Sequence, residues 1–444
     1  MRDTAIKIVR RLQNAGFQAY FAGGCVRDHL LGITPKDYDV TTDARPEQIE
    51  ALFEKTLEVG KAFGVVMIIE DDIQFEIATF RAEHGYSDGR RPDVVTFSDT
   101  PQEDVIRRDF TINGLLEDPI TGEILDFVGG EEDLRKGVVK AIGDPDKRFN
   151  EDHLRLMRAI RFAAKLEFIL DSKTQFAIAR NSWKLNRTSK ERIREELVKI
   201  LISPRPVWGI NMLYATGLIN STVPELRMLT GLQQGRYHDK DAYEHTMDVL
   251  EKVPAKMELR MAALLHDIGK PKTREPHPHN EYSFYDHQIV GEEMTREIMQ
   301  NLKFKNKEID HVSKLVRLHM GLRGARKSVP SSKALRRFAR KCGSEEMLDD
   351  ALVLMTADFD AHPGNDPSIM EDIILKFREL KINGEQPTTK QRVVTGKDVM
   401  DAFNIPQGPK VGEMLKKVQE MLDENPNLTK KEILNRLNKL IKPS

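Results

Sequence analysis

Two cysteines, Cys25 and Cys342, are all that 444 residues contain, too few for a disulfide framework. Long apolar runs are missing too: stretches such as Val65–Ile69 fall far short of a membrane span. The opening stretch MRDTAIKIVRRL lacks the apolar core of a signal peptide. Nor is there an excess of charge of one sign. With 69 Lys and Arg against 70 Asp and Glu, the net charge is −1, so any affinity for nucleic acid has to come from local clustering. These absences point to a soluble, cytoplasmic protein of a reducing compartment. The length points to roughly two to four domains.

What is present is concentrated near the start. Gly23-Gly24-Cys25-Val26-Arg27-Asp28 is followed by Asp37-Tyr38-Asp39. Phe17–Phe21 reads as a strand, Val26–Leu31 as a short helix and Tyr38–Val40 as a second strand, from which Asp37 and Asp39, two apart, project on one face. Glycines let a backbone approach a triphosphate closely, and paired aspartates hold two divalent cations against a reacting phosphate. The chemistry this suggests is nucleotidyl transfer. A plain Gly-Gly turn and a solvated D-x-D loop are the alternatives, but neither needs a strand–helix–strand scaffold.

Up to about residue 138 strands and helices alternate; beyond it the chain reads as almost wholly helical. Val65–Glu70 and Phe75–Phe80 read as strands, with Glu76 either a third carboxylate or a solvent-facing residue. Arg81–Phe97, rich in Gly, Arg and Asp, reads as a long loop of functional type. Arg107 and Arg108, which open RRDFTIN, either suit phosphate oxygens through the guanidinium fork or are ordinary surface cations. A helix is expected from near Asn150 through EDHLRLMRAIRFAAKL, burying Leu156, Ile160, Ala163 and Ala164 and placing Asp152 and Arg155 as neighbours three apart. Such a pair is either an ordinary ion pair or a base reader. An aspartate acceptor beside an arginine donor complements the amino group and ring nitrogen shared by cytosine and adenine, and mismatches guanine and uracil.

GGCVRD with DYD, RRDFTIN, EDHLR and ERIREE (Glu191–Glu196) resemble, in order over roughly the first 225 residues, the motifs of class II tRNA nucleotidyltransferases. These are the CCA-adding enzymes and their A-adding, CC-adding and bacterial poly(A) polymerase relatives. The resemblance implies an α+β N-terminal nucleotidyltransferase domain of the polymerase-beta-like type followed by all-α domains. It implies that Asp37 and Asp39 are catalytic and bind Mg2+. It further implies a nucleotide-binding set of Gly24, Arg27, Arg108, Asp109, Asn113, Asp152, Arg155, Arg158 and Arg161, in which Asp152 and Arg155 read the base, with Glu191, Arg192 and Glu196 bracing the base-reading helix. From spacing alone, Arg192 and Glu196 pair with each other or with an adjacent helix. Retention of Arg81–Phe97, with Tyr86, Asp88, Arg90, Arg91, Pro92 and Asp93, puts the terminal A within reach, and Val59–Val66 looks more like the tRNA-directed members.

Eight of the twelve histidines fall between His245 and His362. His245, His266-Asp267 in LLHDIGK and Asp358 resemble the H…HD…D pattern of HD-domain metal phosphohydrolases, in which imidazoles and carboxylates from separate helices hold a divalent ion of unknown identity. His287 and His319 extend the site to a second metal and Lys270 holds a phosphate, unless all three are surface residues. His277 and His279 sit on a Pro-rich loop, over the pocket mouth or solvated. Between Lys303 and Lys341 thirteen basic residues face Glu308 and Asp310 alone; Arg323, Arg326, Lys327, Lys333, Arg336, Arg337, Arg340 and Lys341 either follow an RNA backbone or form a solvated face. Ile405–Lys417 is helical without assignable chemistry. The expected organisation is a catalytic head (1–138), a helical neck and body (139–235), an HD domain (236–365) and a helical tail (366–444). The expected activity is template-independent addition of CCA, or its terminal A, to tRNA from CTP and ATP, with no membrane and no obligatory protein partner. The alternatives are an A-adding enzyme or poly(A) polymerase and, in another class, an HD phosphohydrolase.

Overall fold

In Ile73–Thr79, apolar and polar residues alternate so that Phe75, Ile77 and Thr79 are buried while Gln74 and Glu76 are exposed. This segment lies within the main sheet of a computed structural model that describes residues 1–57, 64–86, 89, 92–235, 239–322, 328–362, 364–382 and 393–441. The chain divides into two units, Met1–Pro224 and Glu225–Ser444.

The first unit begins with α1 (Arg2–Asn14), β1 (Ala19–Ala22), α2 (Gly24–Leu30), β2 (Val40–Thr42), α3 (Pro46–Leu52), β3 (Thr56–Leu57), β4 (Val65–Glu70), β5 (Ile73–Thr79), β6 (Arg81–His84) and β7 (Val94–Phe97). It continues through α4 (Pro101–Ile106), β8 (Leu115–Glu117), β9 (Ile124–Asp126) and α5 (Gly130–Lys136) into the helices α6 (Pro145–Glu151), α7 (Arg155–Leu166), α8 (Ser172–Asn181), α9 (Lys190–Leu201), α10 (Pro206–Ala215) and α11 (Ile219–Thr222). Seven strands form a sheet in the order β3-β4-β5-β2-β1-β8-β9. Only β2 and β5 run parallel there, with Val40 opposite Ile77, so Asp39 and Glu76, each one residue before that pair, come side by side.

Two expectations change. Asp37 and Asp39 are not in a strand: β2 starts at Val40, and the carboxylates sit on the extended segment leading into it, tied down by the Ala22 amide donating to the Asp39 carbonyl at 3.0 Å. Arg81–Phe97 is not a loop throughout but a hairpin, β6 pairing antiparallel with β7 from Arg81–Phe97 to His84–Val94. Its Gly-, Arg- and Asp-rich tip masked the β-branched arm VVTF. Asp88, Arg90 and Arg91, and residues 59–63 of the Val59–Val66 segment, lie outside the described residues.

Helix α7 buries Leu156, Met157, Ala159, Ile160, Phe162, Ala163 and Ala164, and α9 buries Ile193, Leu197, Ile200 and Leu201. Gly209 lets α10 close on this pair, since a Cβ there would stand 2.4 Å from Ile200 Cγ2.

In the second unit α12 (Ala242–Lys252), α13 (Met257–Leu265), α14 (His287–Asn301), α15 (Asn306–Leu318), α16 (Ser332–Cys342), α17 (Glu345–Asp360) and α18 (Ser368–Ile382) precede α19 (Gly396–Phe403), α20 (Pro409–Glu424) and α21 (Lys430–Ile441). The last three enclose a small core including Val399, Val411, Val418, Leu422, Ile433 and Leu437. Glu275–His277 and Glu281–Ser283 pair antiparallel, so His277 ends a strand rather than lying on a loop. No helix among the described residues is long and apolar enough to cross a membrane.

Candidate active site and histidine cluster

Chain reversal after β1 passes through Gly23, whose φ of 72° is left-handed and whose absent Cβ would meet Arg108 Nη1 at 3.0 Å. The following helix and the carboxylate segment then face a cavity of about 530 Å³. The catalytic and nucleotide-binding residues expected from the resemblance all line it, namely Gly24, Arg27, Asp37, Asp39, Arg108, Asp109, Asn113, Asp152, Arg155, Arg158 and Arg161, joined by Gly23, Arg107, Phe162 and Arg192, whereas Glu76 is not among the lining residues.

Asp39 opens onto this cavity, yet crowding by the protein, then the negative charges of Asp37 and Glu76, push its carboxyl up to about 6 against the pull of Arg108. Carboxylates packed this way favour a bound cation, and hard oxygen donors suit a divalent ion such as Mg2+. Opposite behaviour marks Asp109. Burial would raise it, but Arg158 at 2.5 Å, the Asn113 amide at 3.0 Å and nearby Arg155 hold it at about 2. Asn113 also accepts from Arg27 Nη1 at 2.5 Å, and Arg27 reaches Asp28. Asp104, with its side chain wholly buried, escaped the sequence reading. It binds Arg107 at 2.5 Å and Arg108 at 2.8 Å, aiming two cations at the cavity from below. So did Phe162, whose ring is approached by Arg27, Arg158 and Arg161 at 5.3, 5.3 and 4.1 Å.

Asp152 and Arg155 share the cavity but not a helix turn, which corrects the expected single helix. Asp152 caps the end of α6, in the break before α7. Its carboxylate accepts from Arg192 Nη2 at 2.8 Å and from the Leu154 amide. Arg155 spends Nη1 on Glu151 and the Arg148 carbonyl and Nη2 on the Arg107 carbonyl. Arg192 and Glu196 do not pair with each other; Glu196 meets Arg161 at 3.2 Å. α9 thus grips both ends of the arginine-bearing segment.

In the second unit His245, His266, Asp267 and Asp358 converge as expected. His245 Nε2 lies 2.9 Å from Asp358 and 3.4 Å from His266 Nε2, which is 3.2 Å from Asp267. His287 and His319 add to Asp267 at 3.4 and 3.9 Å and are buried, not surface residues. His362, which sequence reading left unassigned, stands 3.8 Å from Asp358. His266, His287 and His319 each turn Nδ1 to a backbone carbonyl, of Ala263, Phe284 and Val316, which points each Nε2 into the cluster. That is the orientation metal-ligating imidazoles take, and it fits a divalent ion. His319 is held at about 3 by burial and then by His287 and His266, so it stays neutral and ligand-competent. Asp267 stays well below the usual carboxylate range because His266 and Lys270 overcome its burial. Lys270 is buried, 2.5 Å from both Asp267 and the Gln234 amide oxygen, and with His277 lines a cavity of about 340 Å³ over the cluster.

The basic stretch is partly structural. Arg340 pairs with Asp423, Lys333 with Glu424, and Arg336 donates to the Asp423 carbonyl, fastening α16 to α20. Arg323, Arg326 and Lys327 lie outside the described residues.

Residues 19–140 match the family described as Poly A polymerase head domain, 167–229 that described as Probable RNA and SrmB-binding site of polymerase A, and 242–402 the HD domain. A CCA-adding enzyme of Limosilactobacillus reuteri is 46% identical over 218 residues, 49% of this chain and 53% of that protein. One of Bacillus pumilus is 43% identical over 267 residues, 60% of this chain and 63% of that protein. The chain thus spans about half the length of the curated relatives it matches, reaching 63% in the latter. The crystal structure of the Bacillus stearothermophilus CCA-adding enzyme in complex with CTP superposes with a TM-score of 0.72 at 28% identity, covering 99% of this chain and 97% of that one. The Thermotoga maritima CCA-adding enzyme complexed with tRNA shares the fold, with a TM-score of 0.62 at 19% identity, covering 98% and 94%. The fold is that of a polymerase head domain with a mixed sheet followed by a helical HD region. The chain thus combines segments that match the poly A polymerase head domain, the RNA-binding segment of polymerase A and the HD domain, and it is similar to CCA-adding enzymes in sequence and in fold.

Proposed function

We propose that this protein adds CCA, or its terminal A, to tRNA 3′ ends from CTP and ATP without a template, in the cytoplasm, with Mg2+ at Asp37 and Asp39. One observation carries the reading: the carboxylates Asp37 and Asp39 share a single cavity with Arg108, Asp109, Asp152 and Arg155. Divalent ions bound there would lower the pKa of the attacking 3′-hydroxyl and stabilise the departing pyrophosphate. Arg27 and Arg108 hold the triphosphate, positioned by Asn113 and Asp104. Asp109 steadies Arg158 and the sugar end, and Asp152 with Arg155 presents an acceptor and a donor to the edge shared by cytosine and adenine. On this reading 1–138 is the catalytic head and 139–235 the base-reading neck and tRNA-binding body, ahead of the HD segment 236–365 and a tail from 366. Incubating the protein with tRNA ending before CCA, tRNA ending in CC and an unrelated RNA, then sequencing the products, separates CCA addition from A-only addition and from poly(A) synthesis.

A second activity is supported by the histidine cluster. Residues His245, His266, Asp267 and Asp358 would hold a divalent ion whose bound water attacks a phosphate, with Lys270 at the phosphate. The substrate class is a nucleotide or RNA phosphoester.

A further inference from the structure

Phe176 and Trp183 are 67% and 56% exposed, among the most open large apolar side chains of the chain. They stand seven residues apart, about two turns, on α8 and the 3₁₀ turn Ser182–Arg187 that continues it. Large rings left in water at such spacing mark an interaction surface. Residues 172–188 hold four cations, Lys173, Arg180, Lys184 and Arg187, and no carboxylate. Two of these cations flank the indole itself, with Lys184 Nζ 5.6 Å and Arg187 5.3 Å from the Trp183 ring.

The face is also tied to the nucleotide cavity. Arg180 and Asn181 both hold Asp146 at 2.6 Å, and Lys184 binds Asn150. Asp146 and Asn150 belong to α6, the seven-residue helix Pro145–Glu151 whose C-cap is Asp152.

We infer that Phe176 and Trp183 are stacking platforms for unpaired bases of the RNA whose 3′ end enters the Asp37/Asp39 cavity. Any base offers a π-face to a ring, and the surrounding cations meet its phosphates. A protein partner would also cover apolar rings, but Lys173, Lys184 and Arg187 outnumber the one carboxylate that pairs with this face, Asp146 on Arg180, and that balance favours the polyanion. The inference rests on the RNA-directed reading above.

The test uses the full chain carrying Trp208→Phe, which leaves Trp183 as its one tryptophan. The probes are an RNA hairpin with an unpaired 3′ tail and the same hairpin blunt-ended. Trp183 emission should be quenched by the tailed hairpin and far less by the blunt one. In the otherwise native chain Trp183→Ala should raise KM for the tailed RNA roughly five- to a hundred-fold, the range expected for one base–aromatic stack. KM for ATP and kcat should stay within about twofold, and Trp183→Phe should restore most of the loss. Unquenched emission with an unchanged RNA KM overturns the inference and leaves the face to a protein partner. Quenching by tailed RNA in a parent protein that adds no nucleotide would support the face while refuting the transferase reading.

Discussion

Arg192 holds Asp152 at 2.8 Å across forty residues of chain, in the break between two helices. The Asp152 carboxylate is therefore fixed by a neighbouring helix and not by Arg155. Removing the guanidinium frees the carboxylate to rotate, so Arg192→Ala should resemble Arg155→Ala, with both lowering the ratio of CTP or ATP to UTP incorporation by about tenfold or more. A mismatched, unpaired polar edge carries that much discrimination. Equal rate losses for every nucleotide would assign both arginines to structure alone.

Asp104 is a buried carboxylate bound to two arginines. Asp104→Asn keeps the shape but strands the positive charges, at a cost of about 3–5 kcal/mol in stability. The expected result is a KM for CTP and ATP raised about tenfold together with a lowered melting temperature. An unchanged KM would show that the pair orients without Asp104.

The pH dependence follows from Asp39. Its carboxyl is raised to about 6 by crowding and then by Asp37 and Glu76, and it has to ionise to hold a cation. Nucleotide addition should therefore fall off on the acid side around pH 6. Glu76→Gln removes one of the raising charges, so the acid limb should move to lower pH. Because the folded value lies above the unfolded one, ionised Asp39 weakens the fold as pH rises through this window. Asp39→Asn should therefore melt no lower than the parent at pH 8. An acid limb unmoved by Glu76→Gln would remove Glu76 from the site.

The local motifs were legible because their chemistry is written in adjacent residues: Gly23-Gly24, Asp37 with Asp39, and His266-Asp267. What sequence hid depends on tertiary partners. Asp104 looks like an ordinary first-turn acid, and Phe162 like one more apolar residue in the α7 stripe. Only the approach of three arginines distinguishes it. Asp152 and Arg155 have the spacing of helix neighbours, yet Asp152 ends one helix and Arg155 opens the next. The hairpin of β6 and β7 was obscured by its polar tip. Arg336 and Arg340 read as either an RNA-following or a solvated face, and only the tertiary approach of Asp423 distinguishes a third role.

The histidine cluster lies in a different unit from the carboxylate cavity. His266→Ala with Asp267→Ala should abolish metal-dependent hydrolysis of a 2′,3′-cyclic phosphate nucleotide while nucleotide addition stays near the parent level. Chelator-stripped parent should gain melting temperature on adding Mn2+ or Zn2+, and the double variant should not. Loss of addition at unchanged melting temperature would refute the independence of the two sites.

In the proposed function, Asp37 and Asp39 drive transfer onto an RNA end. The most direct test sequences the 3′ termini of tRNA lacking CCA after incubation with CTP, ATP and Mg2+, using the parent and Asp39→Asn proteins. The expected result is CCA, or a terminal A on tRNA ending in CC, from the parent, and termini at least a thousandfold less extended from the folded variant. Normal extension by Asp39→Asn, or none by the parent, would contradict it.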